Sequence, residues 1–135
     1  MEKSIVTGRR TQKGFSLLEL MIAMFIMIIL ISVAVPTYER SVRHARETVL
    51  RENLWQMRRA IDQFTADKGK LPKDIDELVS ARYLHERPYD PIRNSDEWNE
   101  IKGEDIYSTD GGEGLKNVES LAEGDDTEGT PFNKY

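Results

Sequence analysis

One acidic side chain interrupts a long apolar run near the start of the chain. The run covers residues 15–35, and its only polar members are Ser16, Glu19 and Ser32. A carboxylate costs about 2.5–3.5 kcal/mol in the middle of a bilayer, and less near the interface. Two interpretations of Glu19 are open: a shallow side chain that reaches the lipid headgroups, or an ion pair with a cation supplied by another copy of the chain.

The apolar run is long enough to cross a membrane as a helix, since residues 15–35 would extend about 30 Å at helical rise. The charged residues ahead of it are mostly basic, namely Lys3, Arg9, Arg10 and Lys13 against the acid Glu2. The positive-inside rule therefore predicts a cytoplasmic N-terminus, with residues 37–135 on the far side of the membrane. No small-residue cleavage site follows the run, so we expect the helix to be retained.

The residues at the start of the run resemble a known processing signal. Residues 13–20, KGFSLLEL, resemble the class III signal of type IV pilins and type II secretion pseudopilins. This resemblance implies that a prepilin peptidase cuts between Gly14 and Phe15 and that the new amino group of Phe15 is methylated. It also implies that Glu19 pairs with the N-terminus of a neighbouring subunit during assembly, and a methylated amine keeps the positive charge that this pairing needs. Pro36 lies where the family has a helix-bending proline, and a proline removes a helical hydrogen bond.

These inferences divide the chain into three parts. Residues 1–14 are expected to form a basic leader that is removed, residues 15–36 a transmembrane and assembly helix, and residues 37–135 a periplasmic ectodomain. The expected location is the bacterial inner membrane, with a filament form in the periplasm or at the cell surface.

The ectodomain sequence predicts helices first and strands later. Apolar residues recur at spacings of three and four from Tyr38 to Phe64, which predicts one long helix ending near Asp67. Glu47 is assigned to the polar face of that helix, spaced for ion pairs with Arg43 and Arg51. Trp55 and Trp98 are expected to be core or interface anchors.

After Gly69, the pattern predicts a second helix at residues 75–81 and strands at 98–102 and 104–108. By the resemblance, the fold class is α+β, a type IV pilin-like fold. Its long N-terminal helix packs on a small C-terminal antiparallel sheet with an irregular loop.

The acidic C-terminal region suggests a cation site. Residues 105–111, DIYSTDG, resemble a loop of the major pseudopilin that binds calcium. The resemblance implies that Asp110, Asp125 and Asp126 supply oxygen ligands, the type that a hard cation prefers. The first part of the loop is shorter than in the family and the gap before the Asp pair is longer, so a mobile, acidic, glycine-rich segment is the alternative.

Several classes of function are excluded or disfavoured by composition. The chain contains no cysteine, which excludes disulfides, thiolate zinc sites and a cysteine nucleophile. His44 and His85 stand apart from any metal or triad pattern, so we expect a protein that is not an enzyme. Residues 69–135 carry eight basic and seventeen acidic side chains, so nucleic acid is not expected as a partner.

Three functions are consistent with the sequence. The first is a major pseudopilin of a type II protein secretion system, a homo-oligomeric subunit of a helical periplasmic filament, the pseudopilus, that drives protein export. Its implied partners are prepilin peptidase, an inner-membrane assembly platform and minor pseudopilins. The second is a type IV pilus pilin for adhesion, motility or DNA uptake, and the third is a bitopic membrane protein that does not assemble. The small ectodomain, the lack of cysteine and the Asp-rich loop favour the first.

Overall fold

The longest element of the computed structural model is helix α1, Leu17–Lys68. The structure describes Met1 and residues 13–135, so the basic residues Lys3, Arg9 and Arg10 lie outside the described part. The helix ends as predicted, because Gly69 adopts a left-handed φ of 65° and its N–H donates to Thr65 O at 2.9 Å. The described chain divides into two compact units, Met1–Tyr38 and Glu39–Tyr135.

In the N-terminal unit, the apolar part of α1 is exposed on every side. All residues from Leu17 to Val35 are exposed. Among the described helices, α1 alone is long and apolar enough to cross a membrane, judged by length and composition. This agrees with the membrane-spanning helix expected from the sequence.

The C-terminal unit has a single apolar core against one face of α1. The helical residues of this core recur at spacings of three and four, as the sequence pattern predicted: Leu50, Leu54, Met57, Ala60, Ile61 and Phe64. The rest of the core comes from later segments: Leu71, Ile75, Leu78, Leu84, Trp98, Leu115, Val118, Ala122 and Phe132. Of the two tryptophans, Trp98 is therefore a core residue, whereas Trp55 is 54% exposed.

A short second helix, α2, covers Ile75–Ser80 and confirms the predicted helix in this region. Asp74 caps it, since its side-chain oxygen accepts a hydrogen bond from Glu77 N at 2.8 Å. In return, Glu77 Oε2 accepts from Lys73 N at 2.6 Å. These reciprocal bonds satisfy amides that the helix itself cannot pair.

Two antiparallel strands form the sheet: β1, Asn99–Glu104, and β2, Glu113–Glu119, with an irregularity between Ile101 and Lys102. The α+β fold class is therefore confirmed, and the architecture is consistent with a pilin-like fold.

The first predicted strand is shifted by one to two residues, and the second, at residues 104–108, is wrong. In that segment the Asp105 carboxylate accepts hydrogen bonds from Leu71 N at 2.9 Å, Tyr107 N at 3.0 Å and Ser108 N at 3.2 Å. These bonds fold the chain into a turn, and pairing with β1 resumes only at Glu113.

Gly114 in β2 allows a close approach between the sheet and the segment after α1. A Cβ atom at this position would collide with the Leu71 side chain and lie 3.1 Å from Pro72 O. Next to it, Leu115 N donates to Pro72 O at 2.7 Å. This contact leaves no room for a side chain.

Gly114→Ala should therefore lower the melting temperature of the fragment Glu39–Tyr135, with a cost of about 1–3 kcal/mol for overpacking. Gly103→Ala is the matched control, because its added methyl would meet only the flexible Lys116 side chain, which can move. Equal melting temperatures for the two variants would contradict this account of Gly114.

Candidate assembly and processing site

The predicted cleavage site lies in exposed, irregular chain just ahead of α1. Gly14, Phe15 and Ser16 are outside any helix or strand, and Phe15 is 87% exposed. A peptide bond in such a segment is open to a protease, whereas a bond inside a helix is held by backbone hydrogen bonds. The geometry is compatible with cutting between Gly14 and Phe15, which remains a prediction.

Ser16 caps the N-terminus of α1, a role that the sequence analysis missed. Its Oγ accepts a hydrogen bond from Glu19 N at 3.1 Å, and its carbonyl accepts from Leu20 N at 3.1 Å. The signal was present, because a serine followed three residues later by a glutamate opens many helices. The cap holds Glu19 in the first turn of α1, where the helix dipole favours a negative charge.

Pro36 lies inside α1, and the helix continues through it. A proline has no N–H, so the carbonyl four residues earlier, that of Ser32, receives no helical bond from it. Two hydroxyls on either side of this point bond back to the helix: Ser32 Oγ donates to Ile29 O at 2.7 Å, and Thr37 Oγ1 donates to Val33 O at 2.9 Å. The local backbone is therefore weakened at one bond and still helical.

Of the three aspartates predicted to bind calcium, only Asp126 is buried. Its carboxylate accepts hydrogen bonds from Arg51 and from the Tyr135 hydroxyl, each at 2.5 Å, and from the amides of Glu128 and Thr130, each at 2.8 Å. A cation, the Arg51 guanidinium, therefore already neutralises this carboxylate.

Asp110 and Asp125 are exposed and do not join that cluster. Asp110 N donates to Ser108 Oγ at 3.3 Å, and Asp125 offers its carbonyl, not its carboxylate, to Arg43 at 3.1 Å. Within residues 13–135, no group of three or more His, Asp or Glu side chains is placed to hold a metal ion. The donor set expected for calcium is not assembled in this conformation, and calcium binding stays a prediction.

The contacts of Asp126 shift two pKa values in opposite directions. The hydrogen bond from Tyr135, followed by those from the Thr130 and Glu128 amides and from Arg51, lowers the pKa of Asp126 to about 2, although burial acts the other way. Burial, and then the hydrogen bond to Asp126, raises the pKa of Tyr135 to about 12. The cluster therefore favours a charged carboxylate beside a neutral phenol.

Glu47 provides a second attachment of the C-terminal segment to α1. Its carboxylate is fully buried and accepts from Thr127 N at 3.0 Å and Thr127 Oγ1 at 2.7 Å. The expected pair with Arg43 is present at 3.4 Å, and His44 lies 3.8 Å away. The prediction that Glu47 faces solvent and pairs with Arg51 is wrong, because Arg51 pairs with Asp126 instead.

The sequence held a signal for the burial of Glu47. Glu47, Leu50, Leu54 and Met57 continue one helical stripe with spacings of three, four and three. An acid within an apolar stripe indicates a buried carboxylate that must find donors elsewhere in the chain. The partner, Thr127, is eighty residues away and has no local pattern that would reveal it.

Comparison with known proteins supports the assignment of the N-terminal region. Residues 9–35 match the family described as "Prokaryotic N-terminal methylation motif". The chain carries a prokaryotic N-terminal methylation motif. Around this motif the structure places an exposed Gly14–Phe15 junction and a capped apolar helix.

A similar protein with a known name supports the same conclusion as the motif. The chain is 33% identical over 82 residues to the fimbrial protein EcpC of Eikenella corrodens. The match covers 57% of this chain and spans about half, 54%, of that relative's length. No solved structure matches the chain with significance. The motif and the relative together support a type IV pilin-like protein.

The lowered pKa of Asp126 predicts a loss of stability in acid. The carboxylate is stabilised in its charged form, so its contribution is present above its ordinary pKa, near 3.8, and is lost as the pH falls toward 2. Asp126→Asn removes the charge and should lower the melting temperature of the fragment Glu39–Tyr135 at pH 7. The difference in melting temperature between Asp126→Asn and wild type should become smaller as the pH falls from about 4 to 2.

Asp125→Asn is the control for this comparison, since the exposed carboxylate of Asp125 accepts no hydrogen bond in the described chain. Its unfolding should follow that of wild type at each pH. If Asp126→Asn and Asp125→Asn lose stability equally, the anchoring role of Asp126 is refuted.

Proposed function

We propose that this chain is the precursor of a type IV pilin-like filament subunit. The observation that carries this proposal is the coincidence of the methylation motif, residues 9–35, with the part of α1 that is apolar and exposed on every side. Residues 1–14 would be removed, residues 15–36 would form the membrane and assembly helix, and residues 37–135 would form a periplasmic domain. The protein is then a substrate of modifying enzymes and acts as a structural component.

The proposed assembly step is an ion pair between two copies. Cleavage after Gly14 frees the amino group of Phe15, which stays cationic after methylation and begins the apolar segment. The carboxylate of Glu19 in a neighbouring copy is the proposed partner, because an unpaired carboxylate would be costly among apolar helices. Pro36 is proposed to let the helix adjust as copies pack, since it removes one backbone bond.

Among filament types, we propose a major pseudopilin of a type II secretion system. The chain has no cysteine that could close a C-terminal loop, and its C-terminal unit is small and acidic. The expected partners are prepilin peptidase, an inner-membrane assembly platform, minor pseudopilins and further copies of the chain.

A surface type IV pilin is the second candidate. One observation favours it, namely the similarity to a relative whose name describes a fimbrial protein. Immunogold labelling of intact cells would separate the two, because a surface pilus is labelled without permeabilising the outer membrane and a periplasmic filament is not.

The processed protein should begin at Phe15 and carry a methyl group on its amino terminus. Intact-mass spectrometry of membranes from cells that contain a prepilin peptidase measures both changes. Cells without the peptidase are the control and should contain only the precursor. A mature chain that starts at another residue, or one without the methyl group, would refute the proposed processing.

Glu19→Leu should leave membrane insertion and cleavage intact and abolish filaments, because it removes the only carboxylate within residues 15–35. Filaments are counted by electron microscopy of sheared cells, and insertion is measured by carbonate extraction. Ser32→Leu is the matched control, since it also replaces a polar residue of the run by leucine and should leave filaments unchanged. Normal filaments from Glu19→Leu would refute the proposed ion pair between Glu19 and the N-terminus of a neighbouring copy.

A further inference from the structure

An exposed tryptophan lies on the side of α1 that faces away from the core of the C-terminal unit. Trp55 is 54% exposed, and the Arg59 guanidinium lies 5.2 Å from the centre of its ring. Stacking of the guanidinium on the indole restricts both side chains. Tryptophan and arginine are also the residues most often found at the energetic centre of protein interfaces.

Two cavities flank Trp55, and their walls are basic. The first, of about 330 Å³, has Arg59 and His85 in its wall and no carboxylate. The second, of about 540 Å³, is lined by three basic residues and one acid: Arg51, Arg58, Lys134 and Glu52. Arg51 is paired with Asp126, whereas Arg59 and Lys134 have no ion pair within the described residues. This surface is therefore positive in a chain whose net charge is −5.

The loop between β1 and β2 carries the opposite charge to the surface beside Trp55. Ile106 is 70% exposed and Tyr107 is 58% exposed, so the loop presents an apolar tip. The exposed charges of the loop and of the two strand ends that it joins are all negative: Asp110 in the loop, Glu104 at the end of β1 and Glu113 at the start of β2. The three hydrogen bonds to the buried Asp105 carboxylate hold the tip in one conformation, which lowers the entropy lost on binding.

We propose that the β1–β2 loop of one copy docks beside Trp55 of a second copy. Ile106 contacts the indole and enters the adjoining cavity, while Asp110 and Glu113 face Arg59 and Lys134. The contact rests on the proposed filament function and adds to it a specific pair of surfaces. The contact joins two different surfaces of the chain, so it can repeat head to tail. A repeated head-to-tail contact gives a ring where the rotation closes and an open filament where it does not, and the proposed filament corresponds to the open case.

Cysteine cross-linking tests this contact in the full-length chain, which has no cysteine of its own. Gln56→Cys and Thr109→Cys place thiols next to the two surfaces and leave Trp55, Arg59 and Ile106 unchanged. When the two variants are co-expressed and form filaments, mild oxidation should give a disulfide-linked dimer that neither variant gives alone. A dimer from Gln56→Cys alone, or equal linking to Glu123→Cys in another acidic segment, would overturn the proposal.

Charge reversal is the second test. Arg59→Glu should reduce filament yield by at least about tenfold, as expected for loss of a central interface side chain. Combining it with Asp110→Arg should restore the yield. Lys70→Glu, a reversal at an exposed lysine away from Trp55, is the control and should have no effect. An unchanged filament yield from Arg59→Glu would overturn the contact. So would a double variant that does not recover the yield although its protein level and melting temperature are normal.

Failure of this contact can be told from failure of the proposed function. If wild-type chains are cut before Phe15 and form filaments while the cross-link is absent, the docking contact alone is wrong. If wild-type chains are neither processed nor assembled in cells that contain a prepilin peptidase and an assembly platform, the filament function itself is wrong.

Discussion

The C-terminal unit depends on buried carboxylates that accept hydrogen bonds from loops. Its sheet has only two strands, so most backbone amides after α2 cannot be satisfied by strand pairing. Glu47, Asp90, Asp105 and Asp126 are each buried and each accepts at least one bond from a backbone amide. A buried charge is costly when it is alone and tolerable when its oxygens are fully bonded. The irregular loops and the buried acids therefore stabilise one another.

The Asp90 carboxylate connects two segments that are far apart in the sequence. One oxygen accepts from Ile92 N at 2.8 Å and Arg93 N at 3.1 Å, which closes the turn after Tyr89. The other accepts from Ser120 Oγ at 2.6 Å, thirty residues later. A single side chain thus joins a local turn to the segment after β2, a task that a third strand or a disulfide performs in other small domains.

The parts of the fold that were predictable are those with a local physical signal. Three such signals were present: the apolar stripe of α1, the glycine after its last turn and the acid-rich start of α2. Each involves residues only a few positions apart in the sequence. The second strand was misplaced because the Asp105 carboxylate binds Leu71 N, thirty-four positions earlier in the chain, and no local pattern reveals this bond. The residues proposed for processing and assembly were predicted by resemblance alone. The Ser16 cap beside them follows a local sequence pattern that the sequence analysis missed. The partners of Glu47 and Asp126 required the folded chain.

The Ser16 cap also affects where charges would lie at the N-terminus of each subunit in the proposed filament. Cutting after Gly14 would leave the new ammonium one residue ahead of the cap, beside the unpaired amides that form the positive end of its own helix. Each subunit alone would then have two positive groups at one end, the ammonium and the helix N-terminus, with the Glu19 carboxylate of the first turn near both. In the proposed filament the ammonium of one copy would pair with the Glu19 carboxylate of another. Because the ammonium would lie ahead of α1 and Glu19 lies in its first turn, this pairing would impose an axial stagger between neighbouring copies. Under the proposed assembly, a capped helix with a short free end would therefore add to the filament in one orientation.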